Sequence, residues 1–476
     1  MVPAAMRAMT SVLTLLAACG GDSTSTPSDA SRTDAPLASD APADTAADAP
    51  SDAMLSCAAP SGLGRGLTWV RANPMMISGL SVAMGAPSTA ATNEYFDAFH
   101  ANTVHTWESG LPAEIAGWNA AAHADFRYVS WVHFDGTSVA NNMVLGGAQP
   151  VPGRIGYQIG DEPLSQAAFD TMVTGAGVVK AADPDGLRII NLNDSSAANA
   201  LRTQAANHAD FDILSYDHYT YGTGAHEGLA STRAAALAAG KPYWRYMQAF
   251  YYKDEGPDSA ESDLRWDAFV GAVYGFTGYT WFVYSIEANN ADVAPLLYTT
   301  GGNFGGTKTS QWSVAAALNE QLARLGKALV RLRSTDVRYV AKILNLSGLS
   351  AWAAGAGGEP FLKTVTLPGS ADALVGTFRD DCDEPYVMVQ NQAHANGDYP
   401  NNSSSEKTIT LTFDFASATD PSLDRSVLES LDLASGAIVA IPLTSTGATT
   451  AKVDLTLPAG GVVLFKYKTA RVFASQ

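Results

Sequence analysis

The chain has 476 residues, three cysteines and a net charge of −18. This acidic balance argues against a nucleic-acid partner, which requires basic patches, and the abundant aromatic residues suit a neutral ligand. The sequence contains no His-Glu-x-x-His motif, no cysteine cluster, no Walker loop and no Gly-x-Ser-x-Gly elbow, so it predicts neither a metal site nor a cofactor. We expect a monomer.

The N-terminal segment, residues 1–18, has the features of an export signal. Arg7 precedes a short apolar run, Ala8–Ala18, which is too short to span a bilayer. The run ends in Leu16-Ala17-Ala18-Cys19, which resembles a bacterial lipobox. The resemblance implies that Cys19 is lipidated and becomes the new N-terminus. Because no Asp-type retention signal follows Cys19, it also implies a location at the bacterial outer membrane or cell surface, with the lipid anchor as the membrane contact.

Residues 19–56 are mostly Ala, Asp, Ser, Thr and Pro. Such a segment cannot bury enough apolar surface to offset its ordering entropy, so it predicts a disordered tether. Two cysteines remain beyond it, Cys57 and Cys382. In an oxidising compartment they could form a disulfide, or they could be two unrelated thiols.

Strand-like and helix-like runs alternate from Leu67 to Leu332, within a predicted domain of residues 57–332. The predicted strands are Met75–Ser81, Thr103–Glu108, Phe126–His133, Ile155–Gly160, Leu187–Asn193, Asp212–Asp217, Pro242–Ala249 and Thr277–Tyr284. Eight strand–helix units of this size predict an α/β fold, a (β/α)8 TIM barrel. The alternative is a doubly wound sheet, which would place a phosphate-binding Gly loop after the first strand, and no such loop is present.

After Leu332 the apolar pattern changes to a period of two. Ile409, Leu411, Phe413 and Phe415 alternate with polar residues, and so do Val453, Leu455 and Leu457. Several such runs at short spacing predict a C-terminal antiparallel β-sandwich over residues 333–476 with a structural role.

Carboxylates and aromatic residues recur where the predicted barrel strands end. The stretch Arg154–Pro163 is the clearest case, because a strand-like run ends in Gly160-Asp161-Glu162-Pro163 and proline cannot continue a sheet ladder. Alone, this could be an ordinary strand-to-helix turn with acidic residues at the helix start. In a barrel, however, the carboxyl ends of all strands meet at one rim, which is where the active site lies.

The other strand ends add further polar and aromatic candidates to this rim. They are His105, Trp107, Glu108, Trp131, His133, Asn193, Asp217, His218, Tyr219, Tyr221, Trp244, Gln248, Trp281 and Glu287. Aromatic faces interleaved with carboxylates suit a carbohydrate, whose rings present C–H faces and hydroxyl edges. We therefore expect these residues to form a sugar-binding site.

The strand ends resemble those of clan A glycoside hydrolases, which carry a Glu-Pro at the end of the fourth strand, usually after Asn. The match here is Asp161-Glu162-Pro163, and Asp217-His218-Tyr219 resembles the family's sixth strand. The resemblance implies a glycosidase that cleaves an extracellular poly- or oligosaccharide, with Glu162 as general acid/base. Asp217 is the first candidate for the second carboxylate. The aromatic residues expected to stack on sugar rings are Trp107, Trp131, Tyr219, Trp244 and Trp281.

The sequence departs from the family at the seventh strand. Clan A enzymes place a nucleophilic Glu there, whereas this chain has Gln248, and an amide cannot form the glycosyl-enzyme ester. Three explanations stay open. The second carboxylate comes from another strand, with Asp217 first and Glu108 or Glu287 after it; or Asp161 and Glu162 act in a substrate-assisted N-acetylhexosaminidase; or the protein is a non-catalytic surface glycan-binding protein.

Overall fold

The computed structural model describes residues 60–81, 88–106, 127–132, 153–219, 221–222, 224–254, 259–285, 292–299, 307–340, 346, 348–369, 371–396 and 405–475. The lipobox, the tether, Cys57, Trp107, Glu108, His133 and Glu287 lie outside these ranges. Within the described ranges, no helix has the length and apolar character needed to cross a bilayer.

Eight parallel strands close into a barrel, which confirms the predicted fold. The first ten strands of the described chain are β1 (Met76–Ser81), β2 (Thr103–Thr106), β3 (Tyr128–Val132), β4 (Arg154–Asp161), β5 (Leu187–Leu192), β6 (Ile213–Tyr216), β7 (Tyr243–Gln248), β8 (Phe250–Tyr252), β9 (Gly278–Ser285) and β10 (Val293–Pro295). The barrel runs in the order β1-β2-β3-β4-β5-β6-β7-β9, while β8 and β10 form a separate antiparallel pair. Every predicted strand overlaps one of the barrel strands.

Helices cover the outside of the barrel. They are α1 (Arg65–Ala72), α2 (Thr89–Asn93), α3 (Gln166–Ala182), α4 (Ser196–Asn207), α5 (Ala225–Ala238), α6 (Glu261–Tyr274) and α7 (Ser310–Leu329), with a π-helical turn over Glu94–Ala98 and a 3-10 turn over Ala356–Gly358. In α3, the predicted apolar stripe that includes Phe169, Met172 and Val179 is buried and packs with Ile190 and Leu192 of β5. Because one face of the helix packs on the barrel, apolar residues recur along it at the helical period, and this period predicts the helix.

Two predicted helix boundaries concern α6 and α7. The spacing of Asp258 to Glu261 predicts a helix start at Asp258, which lies outside the described residues. In the described part α6 begins at Glu261, and the carboxylate of Asp263 accepts a hydrogen bond from the Ala260 backbone at 2.7 Å. The last helix ends at Leu329, so Leu332 lies beyond it although it continues the leucine stripe.

The C-terminal strands form two sheets that pack face to face, as predicted. They are β11 (Arg333–Val340), β12 (Ser350–Ala351), β13 (Leu362–Thr366), β14 (Ala373–Arg379), β15 (Pro385–Asn391), β16 (Lys407–Asp414), β17 (Asp424–Leu431), β18 (Ile438–Pro442), β19 (Thr444–Ser445), β20 (Thr450–Leu457) and β21 (Val462–Lys468). One sheet has the order β12-β11-β14-β15-β21-β17-β18 and the other β13-β16-β20-β19. The alternating residues Ile409, Leu411 and Phe413 lie in the shared core.

Candidate active site

A β-bulge sets the direction of the acidic residues at the end of β4. Gln158 pairs with Ile189 and Asp161 pairs with Asn191, so three residue steps on β4 match two on β5. The extra residue brings Gln158 and Asp161 to the same side of the strand, although their spacing in a regular strand would place them on opposite sides. Gly160 has a φ of 71°, and a Cβ there would lie 2.8 Å from Met172 Cε. Glycine is therefore required at this turn.

Asp161 is held by two amide groups. Asn191 Nδ2 donates to Asp161 Oδ1 at 2.8 Å, and Gln158 Nε2 donates to the same oxygen at 3.3 Å. The Tyr246 hydroxyl donates to Gln158 Oε1 at 2.6 Å, which fixes the orientation of that amide. Burial, and then the charge of Glu162, raise the pKa of Asp161 to about 8.

Glu162 follows with a φ of 41°, in the left-handed region that non-glycine residues rarely adopt. Its backbone N–H donates to the Asn191 carbonyl at 3.2 Å, and its Oε2 accepts a hydrogen bond from Asn193 Nδ2 at 2.8 Å. Asn193 is itself fixed, because its Oδ1 accepts from the Ser195 backbone at 2.9 Å. Strained backbone at a carboxylate that is held in this way is typical of functional sites.

Asp217 lies directly after β6, is 2% exposed and hydrogen-bonds to the Glu162 carboxyl group. Burial, and then the charge of Glu162, raise the pKa of Asp217 well above its ordinary value. Two carboxyl groups this close share a proton, because both cannot ionise at low cost. The role of Asp217 as nucleophile or base stays a prediction.

An aromatic cluster lies beside the three carboxyl groups. The Tyr219 and Phe282 rings are 5.2 Å apart at an interplanar angle of 31°, and Tyr246 lies 6.3 Å from Phe282. Trp131 belongs to the same cluster and lies 6.3 Å from the His105 ring. Burial lowers the pKa of His105 to about 3, so its imidazole is neutral.

Four residues of this site were missed by sequence reasoning: Gln158, Asn191, Tyr246 and Phe282. Tyr246 had a usable signal, because it lies two residues before Gln248 and therefore on the same face of β7. Asn191 likewise lies two residues before Asn193. Gln158 had none, since only the bulge in β4 brings it beside Asp161.

Two of the expected sugar-stacking residues are core residues instead. Trp244, at the start of β7, is 2% exposed and packs edge-on against Trp69 at 5.8 Å. Trp281 faces the helices, where its indole N–H donates to Asn319 of α7 at 2.7 Å. Neither ring presents a face to the rim, so the prediction that they stack on sugar is wrong.

Three further candidates have partners other than Asp161, Glu162 and Asp217. His218 Nδ1 contacts Asp194 Oδ2 at 2.5 Å, and the same oxygen accepts from Tyr216 at 2.8 Å. The Tyr221 hydroxyl contacts Ser259 Oγ at 3.0 Å. Gln248 donates from Nε2 to the Phe250 carbonyl at 3.0 Å, which confirms that no carboxylate ends β7.

The described residues contain no cluster of three His, Cys, Asp or Glu that could hold a metal ion. The side chains at this site are carboxyl groups, amides and aromatic rings, which can exchange a proton with a bound ligand and can stack against its apolar faces.

Comparisons with known proteins find similarity to solved structures but no match at the level of sequence. No protein-family model and no curated protein matches the sequence. A solved glycoside hydrolase matches with a TM-score of 0.50 and 12% identity, over 84% of this chain and 94% of that chain. A family 5 glycoside hydrolase from Bacteroides vulgatus matches with a TM-score of 0.48 and 12% identity, over 84% of this chain and 93% of that chain. A GH30 endoxylanase from Clostridium papyrosolvens matches with a TM-score of 0.42 and 12% identity, over 86% of this chain and 98% of that chain.

At this level of identity the likeness concerns the fold alone. Within that limit it agrees with the resemblance to clan A glycoside hydrolases that the strand ends indicate. What the residues of this chain do at the rim has to be argued from the chain's own geometry.

Proposed function

We propose that the protein is a glycoside hydrolase in which Glu162 is the general acid. The observation that carries this proposal is the hydrogen-bonded pair of Glu162 and Asp217, which lies where β4 and β6 end. The fold, shared with solved glycoside hydrolases, and the aromatic cluster next to the pair are consistent with it.

Asp217 and Glu162 have different tasks in this proposal. Asp217 is almost fully buried, whereas Glu162 is only partly buried, so Glu162 is the member that reaches the substrate. The shared proton passes through the hydrogen bond to Glu162, which gives it to the glycosidic oxygen as the C–O bond breaks. The N–H of Asn193 then stabilises the carboxylate that is left on Glu162.

Two variants of the mechanism differ in the group that attacks the anomeric carbon. Gln248 excludes an ester intermediate at the end of β7. One variant uses water activated by another carboxylate. The other is substrate-assisted cleavage, in which the acetamido group of the sugar attacks. The second variant needs no carboxylate nucleophile from the protein, which is consistent with Gln248 at the end of β7.

The test is hydrolysis by wild-type protein and a Glu162→Gln variant on aryl glycosides and oligosaccharides, with and without N-acetyl groups. Loss of a general acid should cost roughly 10²–10⁴-fold in kcat/KM on unactivated substrates and much less on dinitrophenyl glycosides, which need no protonation. Glu227→Gln, the same change at an exposed position of α5, is the matched control and should leave the rate unchanged.

Each outcome distinguishes between the proposals. Cleavage of N-acetylated sugars alone would select the substrate-assisted variant. A Glu162→Gln variant as fast as wild type on unactivated glycosides would refute the assignment of Glu162. Sugar binding without hydrolysis by either protein would instead favour a non-catalytic glycan-binding protein.

A further inference from the structure

The two carboxyl oxygens of Asp161 differ in their hydrogen bonds. Both amide donors, Asn191 and Gln158, point at Oδ1. A carboxyl oxygen that accepts two N–H groups has both of its lone pairs engaged. A proton on Asp161 therefore resides on Oδ2, and the hydroxyl it forms is available to a ligand.

The charges around Asp161 favour its neutral form. Glu162 directly follows β4, and its negative charge raises the pKa of Asp161. Asp217, directly after β6, interacts electrostatically with both residues. Tyr246 on β7 and Tyr219 after β6 have raised pKa values because they are buried, and the buried His105 on β2 is neutral, so these three groups add no charge. The raised pKa of Asp161 results from burial and then the charge of Glu162, and the hydrogen bond from Asn191 opposes them.

We propose that Asp161 acts as a neutral carboxylic acid, which donates a hydrogen bond from Oδ2 to an acceptor oxygen of the bound sugar. Gln158 and Asn191 are positioning residues that hold Oδ1, and Tyr246 acts through Gln158. This inference rests on the proposed glycosidase function of the site.

The proposal has a direct consequence for pH dependence. The raised pKa of Asp161, about 8, keeps the carboxyl group protonated at neutral pH. As the pH rises through this value the donor is lost and a further negative charge appears beside Glu162. Binding of the sugar and the rate should therefore decline on the alkaline side.

The first experiment compares pH profiles of kcat/KM for wild type, Asp161→Asn and Asp161→Ala. Wild type should lose roughly tenfold per pH unit above the alkaline pKa, as expected for one titrating group. The asparagine amide can place its N–H where the Oδ2 hydroxyl was and cannot ionise. Its profile should be flat on the alkaline side, at a cost of up to about tenfold near pH 6.

The alanine variant should lose roughly 5- to 150-fold over the whole pH range, because it supplies no donor. An alkaline decline in Asp161→Asn as steep as in wild type would overturn the proposal, since another group would then be titrating. An asparagine variant that is no better than the alanine variant would also overturn it, because the N–H donor would then have no effect.

A second measurement does not depend on hydrolysis. The carbonyl stretch of a protonated carboxyl group is visible by infrared spectroscopy, and its loss in Asp161→Asn assigns the band to Asp161. Glu162→Gln removes a negative neighbour, so the band should titrate at lower pH in that variant. Asn191→Leu removes the hydrogen bond that stabilises the charged form, so there the band should titrate at higher pH.

These two experiments separate the possible failures. Absence of the band in wild type near pH 6 would overturn the neutral acid itself. A band that titrates as described, in a protein that hydrolyses no glycan, would instead refute the proposed function and the donor role that depends on it.

Discussion

At the scale of single residues, the site is governed by carboxyl groups that cannot all be ionised together. Asp217 contacts Glu162, and Glu162 is adjacent to Asp161, so ionisation of one raises the free energy of ionising the next. Asn191 and Gln158 orient the Asp161 carboxyl group, and Asn193 orients that of Glu162, without adding charge. The arrangement favours storage and delivery of a proton.

Asp217→Asn tests whether Asp217 supplies the proton or attacks the sugar. As a proton store behind Glu162, its loss should lower kcat/KM by roughly 10- to 100-fold, less than loss of the general acid itself. Azide should not restore the rate, because the anomeric carbon is not the atom on which Asp217 acts. Azide rescue with formation of a glycosyl azide would show instead that Asp217 is a nucleophile or base. Asp185→Asn, an exposed position, is the matched control and should behave as wild type.

At the scale of elements, α6 connects the barrel to the C-terminal sandwich. Asp263, in its first turn, is fully buried and accepts hydrogen bonds from His394 Nδ1 at 3.1 Å and from the backbone and side-chain nitrogens of Asn396 at 2.9 and 2.8 Å. One turn further, the Trp266 indole donates to Gln392 at 3.0 Å. The contact is polar and paired, which fixes the relative placement of the two elements more narrowly than an apolar contact would.

Asp263→Asn should destabilise the protein by roughly 2–3 kcal/mol, since it removes charge-assisted hydrogen bonds and points an amide group at donors. Burial alone would raise the pKa of Asp263, but the hydrogen bonds from His394, Asn396 and Ala260 outweigh it and lower the pKa. This contribution to stability is present above the ordinary pKa of aspartate, near 3.9, and is lost as the pH falls through the lower folded value. The melting temperatures of wild type and Asp263→Asn should differ at neutral pH, and this difference should become smaller in acid. A difference that stays constant in acid would contradict the role of the charge. Asp185→Asn is again the control.

The sequence predicts where the strands lie, but it does not predict to which side of the strand each side chain points. Trp244 and Trp281 were placed at the rim because they lie in strands whose ends reach it, but one lies too early in β7 and the other faces α7. The bulge at Gly160 changes which residues of β4 face inward, and a single glycine gives no local signal of a bulge. Asp161, Glu162, Asn193 and Asp217 were predictable because they directly follow or end apolar strands, where a parallel barrel gathers side chains.

At the scale of the whole molecule, the sandwich is attached to the start of the barrel as well as to α6. Arg71 of α1 donates to both oxygens of Asp381, at 2.6 and 2.5 Å, in the turn between β14 and β15. The same turn contains Cys382, which is disulfide-bonded. The other two cysteines, Cys19 and Cys57, lie outside the described residues, and lipidation of Cys19 and pairing of Cys57 both remain predictions.

Pairing of Cys57 with Cys382 would close a loop that contains the entire barrel. Because this loop lowers the entropy of the unfolded chain, the disulfide should stabilise the fold by roughly 2–5 kcal/mol. Cys57→Ser should therefore free the Cys382 thiol for alkylation without reductant and lower the melting temperature by several degrees. Cys19→Ser should do neither, because it leaves the bond intact. Reduction of the wild-type protein should reproduce the melting temperature of Cys57→Ser and have no further effect on that variant. A free Cys382 thiol in Cys19→Ser would show that the partner is Cys19, which would also exclude lipidation of the same sulfur in that molecule.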